Sequence, residues 1–359
     1  VLGSRGLGDV YKRQAYTRYI LDFKVPGGTS RGILTQKETW FVRIWHDETP
    51  WIFGIGECAL FRGLSADDRP GYEEKLKEVC GQVDTLDTVS LRDWSSIRFG
   101  VETALLDLKN GGKRKICPGA FYEGKQSIEI NGLLWMGDKE AMYSRIEEKL
   151  TAGFRCVKLK IGAIDFNSEL ELLKSIRSRY GKDEIELRVD ANGAFLPSEA
   201  MSKLDRLSRY DIHSIEQPIR QGQWREMETL CRNTPIPIAL DEELIGINDP
   251  KLKEQMLDVI NPQYIILKPA LAGGLSGSDE WIDKAEKRNI GWWITSALES
   301  NVGLNAIAQW TAMLQSSIPQ GLGTGQLYKN NIISPLVQKG STIQYDPSLS
   351  WDLSSLIWE

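Results

Sequence analysis

Residues 156–161 read Cys156-Val157-Lys158-Leu159-Lys160-Ile161, and residues 185–190 read Ile185-Glu186-Leu187-Arg188-Val189-Asp190. Each is a short β-favouring run with a charge at or next to its end, Lys160 in the first and Asp190 in the second. Between them Phe166, Leu170, Leu173 and Tyr180 recur at helical spacing from about Asp165 to a stop at Gly181. The same rhythm extends outward in both directions. Aliphatic runs occupy 128–135, 156–161, 185–190, 213–216, 236–241, 264–268 and 292–296, with a shorter one near Gly321, and a helix from about Asp138 carries Met142, Ile146 and Leu150. Eight strands alternating with helices predict an α/β fold, a (β/α)8-type TIM barrel.

A barrel strand buries both faces, so a charge within it is costly unless it lies at the open end. The second to sixth strands end in Lys160, Asp190, Glu216, Asp241 and Lys268, spaced 30, 26, 25 and 27 residues apart. Equivalent ends of successive strands lie side by side. Side chains alternate faces along a strand, and in each run the aliphatic residues are out of phase with the charge. All five charges, and Lys158 with them, are therefore expected to point into the C-terminal mouth, where barrel enzymes keep their chemistry.

Three carboxylates without His or Cys make a hard oxygen site suited to Mg²⁺ or Mn²⁺, so Asp190, Glu216 and Asp241 are the candidate metal ligands. Lys160 and Lys268, four strands apart in a ring of eight, are expected to face each other across the metal. This suits proton abstraction beside a substrate carboxylate. For Lys160 to act as a base its pKa must fall below the free value of ~10.4, and Lys158 is the candidate source of the repulsion. Arg188, in phase with Asp190, is a candidate substrate contact, as is Ser296, read as ending strand seven in the inward phase. Taken singly these motifs have ordinary readings: a wet Lys-x-Lys edge, an Asp-Ala-Asn-Gly turn, a solvated acidic run. Their shared parity and near-constant interval outweigh those readings.

Upstream, Tyr19, Leu21, Phe23 and Val25 alternate with polar residues, and Trp40, Val42 and Ile44 repeat the pattern after a glycine-rich stretch. Helical spacing from Ile97 to Leu108 then stops at Gly111-Gly112. Residues 15–118 are read as an α+β capping domain and 119–327 as the barrel. The tail from 328 to 359 is expected to return onto the cap. Loops 27–32 and 61–68 are expected lid material. Residues 1–14 show neither period and are set aside as a cloning or sequence-assembly scar.

The whole chain has 359 residues, 44 basic and 49 acidic side chains, and a formal net charge of −5. A small-molecule carboxylate is the expected partner, with no nucleic acid and no membrane, and homo-oligomerisation is left open. The five cysteines include no Cys-x-x-Cys pair, which fits a reducing cytoplasm better than a disulfide framework. With His46 and His213 the only histidines, the chemistry falls to Lys, Asp and Glu. His213 is expected to be packed or helix-facing, opposite to Glu216.

Lys158-Leu159-Lys160, Val189-Asp190-Ala191-Asn192, Ile215-Glu216-Gln217-Pro218, Leu240-Asp241-Glu242 and Leu267-Lys268-Pro269 resemble the enolase superfamily, in particular its muconate lactonizing subgroup. The segment 296–304 is similar to strand seven of the o-succinylbenzoate synthases within it. That resemblance implies a modified TIM barrel with an α+β N-terminal cap. It also implies a lyase of menaquinone biosynthesis that dehydrates 2-succinyl-6-hydroxy-2,4-cyclohexadiene-1-carboxylate to 2-succinylbenzoate. In it Lys160 is base and then acid, Lys268 stabilises the enediolate, and Asp190, Glu216 and Asp241 hold Mg²⁺. Dipeptide epimerases of the subgroup carry an Asp-x-Asp at the eighth strand, where this chain has only Gly321-Leu322-Gly323-Thr324-Gly325. An N-acylamino acid racemase or dipeptide epimerase is the alternative activity.

Overall fold

The computed structural model describes residues 12–29, 32–82, 86–134, 139–162 and 164–358. It begins with an antiparallel sheet of β1 (Lys12–Thr29), β2 (Gly32–His46) and β3 (Phe53–Cys58), in that order. Lys12, Arg13 and Gln14 pair with His46, Trp45 and Ile44, so the last three residues of the segment set aside as a scar are part of this sheet. Its first eleven residues lie outside the described ones. Gly27, Gly28 and Thr29, expected in a loop, pair with Leu34, Ile33 and Gly32, and the register breaks earlier, between Asp22 and Gly27. Ser30 and Arg31 of that expected loop lie outside the described residues.

Alternation sorts this sheet into two faces, and both are covered. Trp40, Val42 and Ile44 pack beneath α1 (Tyr72–Gly81) and α2 (Ser95–Lys109), through Leu76, Ile97 and Val101. Helix α2 lies against β3 so closely that a Cβ on Gly54 would come 1.9 Å from the Ala104 carbonyl, and one on Gly56 1.8 Å from that of Gly100. Only glycine permits this contact. The opposite face carries Phe41 and Ile55, which pack on Val302, Ile332 and Leu356 from the rest of the chain.

The run at 128–135 divides into β4 (Ser127–Glu129) and β5 (Gly132–Leu134), with Trp135 and the expected helix start at Asp138 outside the described residues. The alternating unit follows as α3 (Lys139–Thr151), β6 (Cys156–Lys160), α4 (Phe166–Arg179), β7 (Glu186–Asp190), α5 (Pro197–Leu207) and β8 (Ile212–Glu216). It continues with α6 (Trp224–Asn233), β9 (Ile238–Leu240), α7 (Pro250–Ile260), β10 (Tyr264–Leu267), α8 (Gly274–Glu286), β11 (Gly291–Ile294) and α9 (Asn301–Leu314). Helix α4 starts where the sequence places it, with the Asp165 carboxylate accepting from the Ser168 amide at 3.0 Å.

Strands β5 to β11 form one seven-stranded sheet in chain order, parallel throughout. The expected eighth strand near Gly321 is reduced to a link. Gln320 bridges Ile130, just before β5, and Gly321 bridges Thr295, just after β11. The Asn131 amide donates to Gln320 and the Gly321 amide to Ile294, which joins the two sheet edges. Val157, Leu187, Val189, Ile215, Leu240 and Leu267 fill the layer beneath the helices, and Ala239, Ile266 and Trp293 form a separate, smaller cluster. By parity with Glu216 and Lys268, that smaller cluster fills the barrel's interior. Strands β12 (Leu336–Lys339) and β13 (Thr342–Tyr345) pair with β4, and the tail then packs Trp351, Leu353 and Leu356 on the cap's Phe41 and Ile55.

Candidate active site

The strand register sets Lys160, Asp190 and Glu216 side by side on β6, β7 and β8. Asp241 directly follows β9, and Lys268 directly follows β10. The six charged side chains expected to point into the mouth fall into two hydrogen-bonded groups, one built on Asp190 and Glu216 and the other the pair of Lys268 and Asp241. Lys160 Nζ lies 2.6 Å from Asp190 Oδ2 and 2.7 Å from Asn192 Oδ1. Lys158 Nζ lies 2.7 Å from Glu216 Oε2 and 3.1 Å from Asp190 Oδ2. Lys268 donates to Asp241 Oδ2.

The three carboxylates are buried and would repel one another without these ammoniums. Burial alone would raise Asp190, but Lys160 and Lys158 hold it well below the usual carboxylate range. Glu216 goes the other way: burial and the charge of Asp190 push it up to about 8, against the pull of Lys158. Burial disfavours the Lys158 ammonium, yet Glu216 and Asp190 together raise it above an ordinary lysine. Burial likewise opposes the charge of Lys268, and Asp241 and Glu216 bring it up to about 12. Lys158 is adjacent to Lys160 as expected, but its ammonium is turned onto Glu216 and Asp190 instead of standing as a bare repelling charge.

Among the described residues no group of three or more His, Cys, Asp or Glu side chains is placed so that it could hold a metal ion as the side chains stand. The acids are tied to lysines instead. Two observations nevertheless fit a hard divalent cation at this place. The Lys158 ammonium stands between Asp190 and Glu216, so the gap already holds positive charge. Glu216 Oε1 is buried with no hydrogen-bond partner among the described residues, an acceptor left open in a low-dielectric site.

Several supporting residues were not singled out by the sequence. Asn192, at φ 44°, accepts from Lys160 and donates its Nδ2 to Glu242 Oε1 at 2.9 Å. Gln217, at φ 38°, accepts the amides of Asp241 and Glu243 on its side-chain oxygen, both at 3.2 Å. Two non-glycine residues held left-handed beside the carboxylates mark a strained, over-determined backbone. Nothing in residue type alone announces that strain. Loop 61–68, expected as lid material, is pinned: Asp67 accepts from the Ser96 amide and hydroxyl at 2.9 and 2.7 Å, and Asp68 accepts from the Gly63 amide at 2.7 Å.

Two expectations of side-chain direction need correction, those for Ser296 and His213. The register pairs Ile266 with Trp293 and Leu267 with Ile294, so the residue level with Lys268 is Thr295, and Ser296 is out of the inward phase. Its hydroxyl lies 2.7 Å from that of Thr324. Arg188 is inward, as expected, with Nε 2.8 Å from Glu186 Oε1, Nη1 3.0 Å from the Pro319 carbonyl and its guanidinium over Trp293, while its Nη2 is buried with no hydrogen-bond partner among the described residues. His213 is packed, but inside the ring and not against the helices: it meets Tyr264 at 5.4 Å and Trp293 at 6.4 Å. The cause is an irregularity that pairs Leu187 with Ile212 and Arg188 with Ser214, leaving His213 as an extra residue that breaks alternation.

Comparison with known proteins adds four findings. A family described as enolase C-terminal domain-like matches residues 141–344. The chain is 47% identical over 363 residues to an o-succinylbenzoate synthase of Desulfotalea psychrophila, covering 92% of this chain and 98% of that one. The crystal structure of MenC from Desulfotalea psychrophila superposes with a TM-score of 0.83 at 43% identity, over 93% of this chain and 99% of the other. An L-Ala-D/L-Glu epimerase of Bacillus subtilis is 25% identical, over 69% of this chain and 68% of its own length.

Proposed function

The chain belongs to the enolase C-terminal domain-like family, and on that premise we propose that it is an o-succinylbenzoate synthase, a lyase acting in menaquinone biosynthesis. Its substrate in this reading is 2-succinyl-6-hydroxy-2,4-cyclohexadiene-1-carboxylate. The observation that carries the proposal is the row of Lys160, Asp190 and Glu216 in strand register, completed by Asp241 and Lys268, in a chain 47% identical to an o-succinylbenzoate synthase along most of both lengths.

Asp190, Glu216 and Asp241 would hold Mg²⁺, or Mn²⁺ in its place. When bound, that ion supplies positive charge for the substrate carboxylate and for the negative charge that develops on it. Lys160, as the free amine, takes the ring proton next to the carboxylate. The electron pair moves into the carboxylate as an enediolate, whose charge is met by Lys268 from the other side. The pair then returns to the ring, the C–O bond to the 6-hydroxyl breaks, and Lys160 delivers its proton to the departing hydroxide, giving water and the aromatic product. Asn192 and Glu242 keep Lys160 in place through the chain of bonds described above.

The fold is that of the family's barrel, and no helix among the described residues is long and apolar enough to cross a membrane. A cytoplasmic location and a small-molecule carboxylate as the substrate fit this reading, with homo-oligomerisation left open. The test is direct: protein, Mg²⁺ and the cyclohexadiene acid should give the ultraviolet spectrum of 2-succinylbenzoate, and a chelator should stop it. The racemase or epimerase alternative instead requires α-deuterium incorporation into N-acyl amino acids or dipeptides in D₂O, and the 25% identity to the Bacillus subtilis epimerase is what supports it.

A further inference from the structure

The cap face that packs on the barrel is apolar at Phe41 and Ile55, but in phase with them lie Lys37, Thr39 and Glu57, all buried. Glu57 reaches across to the N-terminus of α9. Its Oε1 accepts from Thr39 Oγ1 at 2.9 Å and from the Ser300 amide at 3.0 Å. Its Oε2 accepts from Ser300 Oγ at 2.5 Å and from the Gly303 amide at 3.0 Å. The remaining amides of this first turn are taken by Asn331 Oδ1, from Asn301, and by Ser300 Oγ, from Val302. A carboxylate of one domain thus caps a helix of the other, where the helix dipole also favours negative charge.

Immediately before α9 runs the turn 296–300, which starts one residue beyond the level of Lys268. Leu298 in this turn has φ 63°, a left-handed conformation costly for leucine. It is held there by local bonds: the Tyr328 hydroxyl donates to the Leu298 carbonyl at 2.7 Å, and the Ala297 amide donates to Glu299 Oε2 at 2.7 Å. Its side chain joins Leu21, Phe23, Leu34 and Tyr328, so the turn lies between the barrel mouth and the cap's first hairpin. Lys37, buried with no hydrogen-bond partner among the described residues, supplies the positive charge that Glu57 and Glu299 both require. The packing leaves no slack, because a Cβ on Gly303 would lie 2.8 Å from the Glu299 side chain and 2.9 Å from Glu57 Oε2.

We propose that Glu57 is a positioning residue for the reaction: by gathering the α9 N-terminus onto the cap it sets the 296–300 turn as the wall against the part of the substrate that does not react. The proposal rests on the dehydratase reading above. A wall of this kind contributes equally to ground-state and transition-state binding, so its loss raises KM and leaves kcat in place.

The test is Glu57→Gln, which keeps the shape but cannot accept at both ends. The expected result is a rise of about tenfold in KM for the cyclohexadiene acid, with kcat within about threefold, and hydrogen exchange at the Ser300 and Gly303 amides faster by more than about tenfold. Thr39→Val removes a cap-side donor only and should leave KM near wild type. Should Glu57→Gln not fold, Ser300→Ala, which keeps the carboxylate, should raise KM in the same direction by about threefold. Wild-type aromatisation with an unchanged KM in the variant, or unchanged exchange at those amides, overturns the clamp alone. A wild-type protein that does not aromatise the acid overturns the dehydratase reading instead.

Discussion

Lys158 Nζ lies 2.7 Å from Glu216 Oε2, while the other oxygen of that carboxylate is buried without a hydrogen-bond partner among the described residues. One half of Glu216 is neutralised by a lysine and the other half is held open, which is the posture of a ligand waiting for a second cation. Glu216→Gln removes that charge without changing shape. Mg²⁺ binding, followed by calorimetry, should weaken by about two orders of magnitude, since such charge stabilisation is worth several kcal/mol. Unchanged binding would remove Glu216 from the ligand set.

The α2–β3 contact gives a prediction about the fold alone. Gly56→Ala would drive a methyl to within 1.8 Å of the Gly100 carbonyl, and backbone on both sides leaves nothing flexible to yield. Unfolding by urea should show a loss of about 3 kcal/mol or more, beyond the usual range for a well-packed core. A loss under 1 kcal/mol would show that α2 can lift from the sheet.

Much of this site is legible in the sequence because strand alternation is a local rule. Lys160, Asp190 and Glu216 fall level because β6, β7 and β8 run in step at their C-terminal ends. The rule fails where the strand itself is interrupted. His213 is an extra residue at a register shift; at Ser296 the rule itself holds, since Trp293 is inward and alternation past Ile294 puts Thr295, not Ser296, level with Lys268. The eighth strand shrinks to Gln320 and Gly321 because two bridges suffice to join the sheet edges. The Glu57 clamp is not legible at all. In sequence Lys37, Thr39 and Glu57 look like the wet face of a sheet, and only tertiary packing covers them.

Glu299 should leave a signature in the pH dependence of stability. Burial and the nearby Glu57, partly countered by Lys37, push its pKa from 4.5 up to about 7. Between those values the folded state keeps a proton that the unfolded state has released, so stability falls as pH rises from about 4.5 to 7 and the contribution is gone above that window. The loss is on the order of 3 kcal/mol. Urea unfolding at pH 5 and pH 8 should differ less in Glu299→Gln than in the wild type; an equal difference would contradict the assignment.

Lys268 is expected to act on charge and not as the base. Lys268→Met should therefore lower the rate of aromatisation by about 10²-fold or more while leaving Mg²⁺ affinity unchanged or higher, because Asp241 loses its competing ammonium. Parallel rate and calorimetric measurements check both halves. A fall in metal affinity would mean that Lys268 holds Asp241 in place for the ion.

The account turns on Lys160 as the group that takes and returns the proton. The most direct measurement is the initial rate of ultraviolet change on mixing saturating cyclohexadiene acid and Mg²⁺ with wild type and with Lys160→Ala. We expect the wild type to aromatise the acid and the variant to be slower by about 10³-fold or more, with unchanged Mg²⁺ binding. A variant rate within about tenfold of wild type would contradict the assignment of the base and the mechanism built on it.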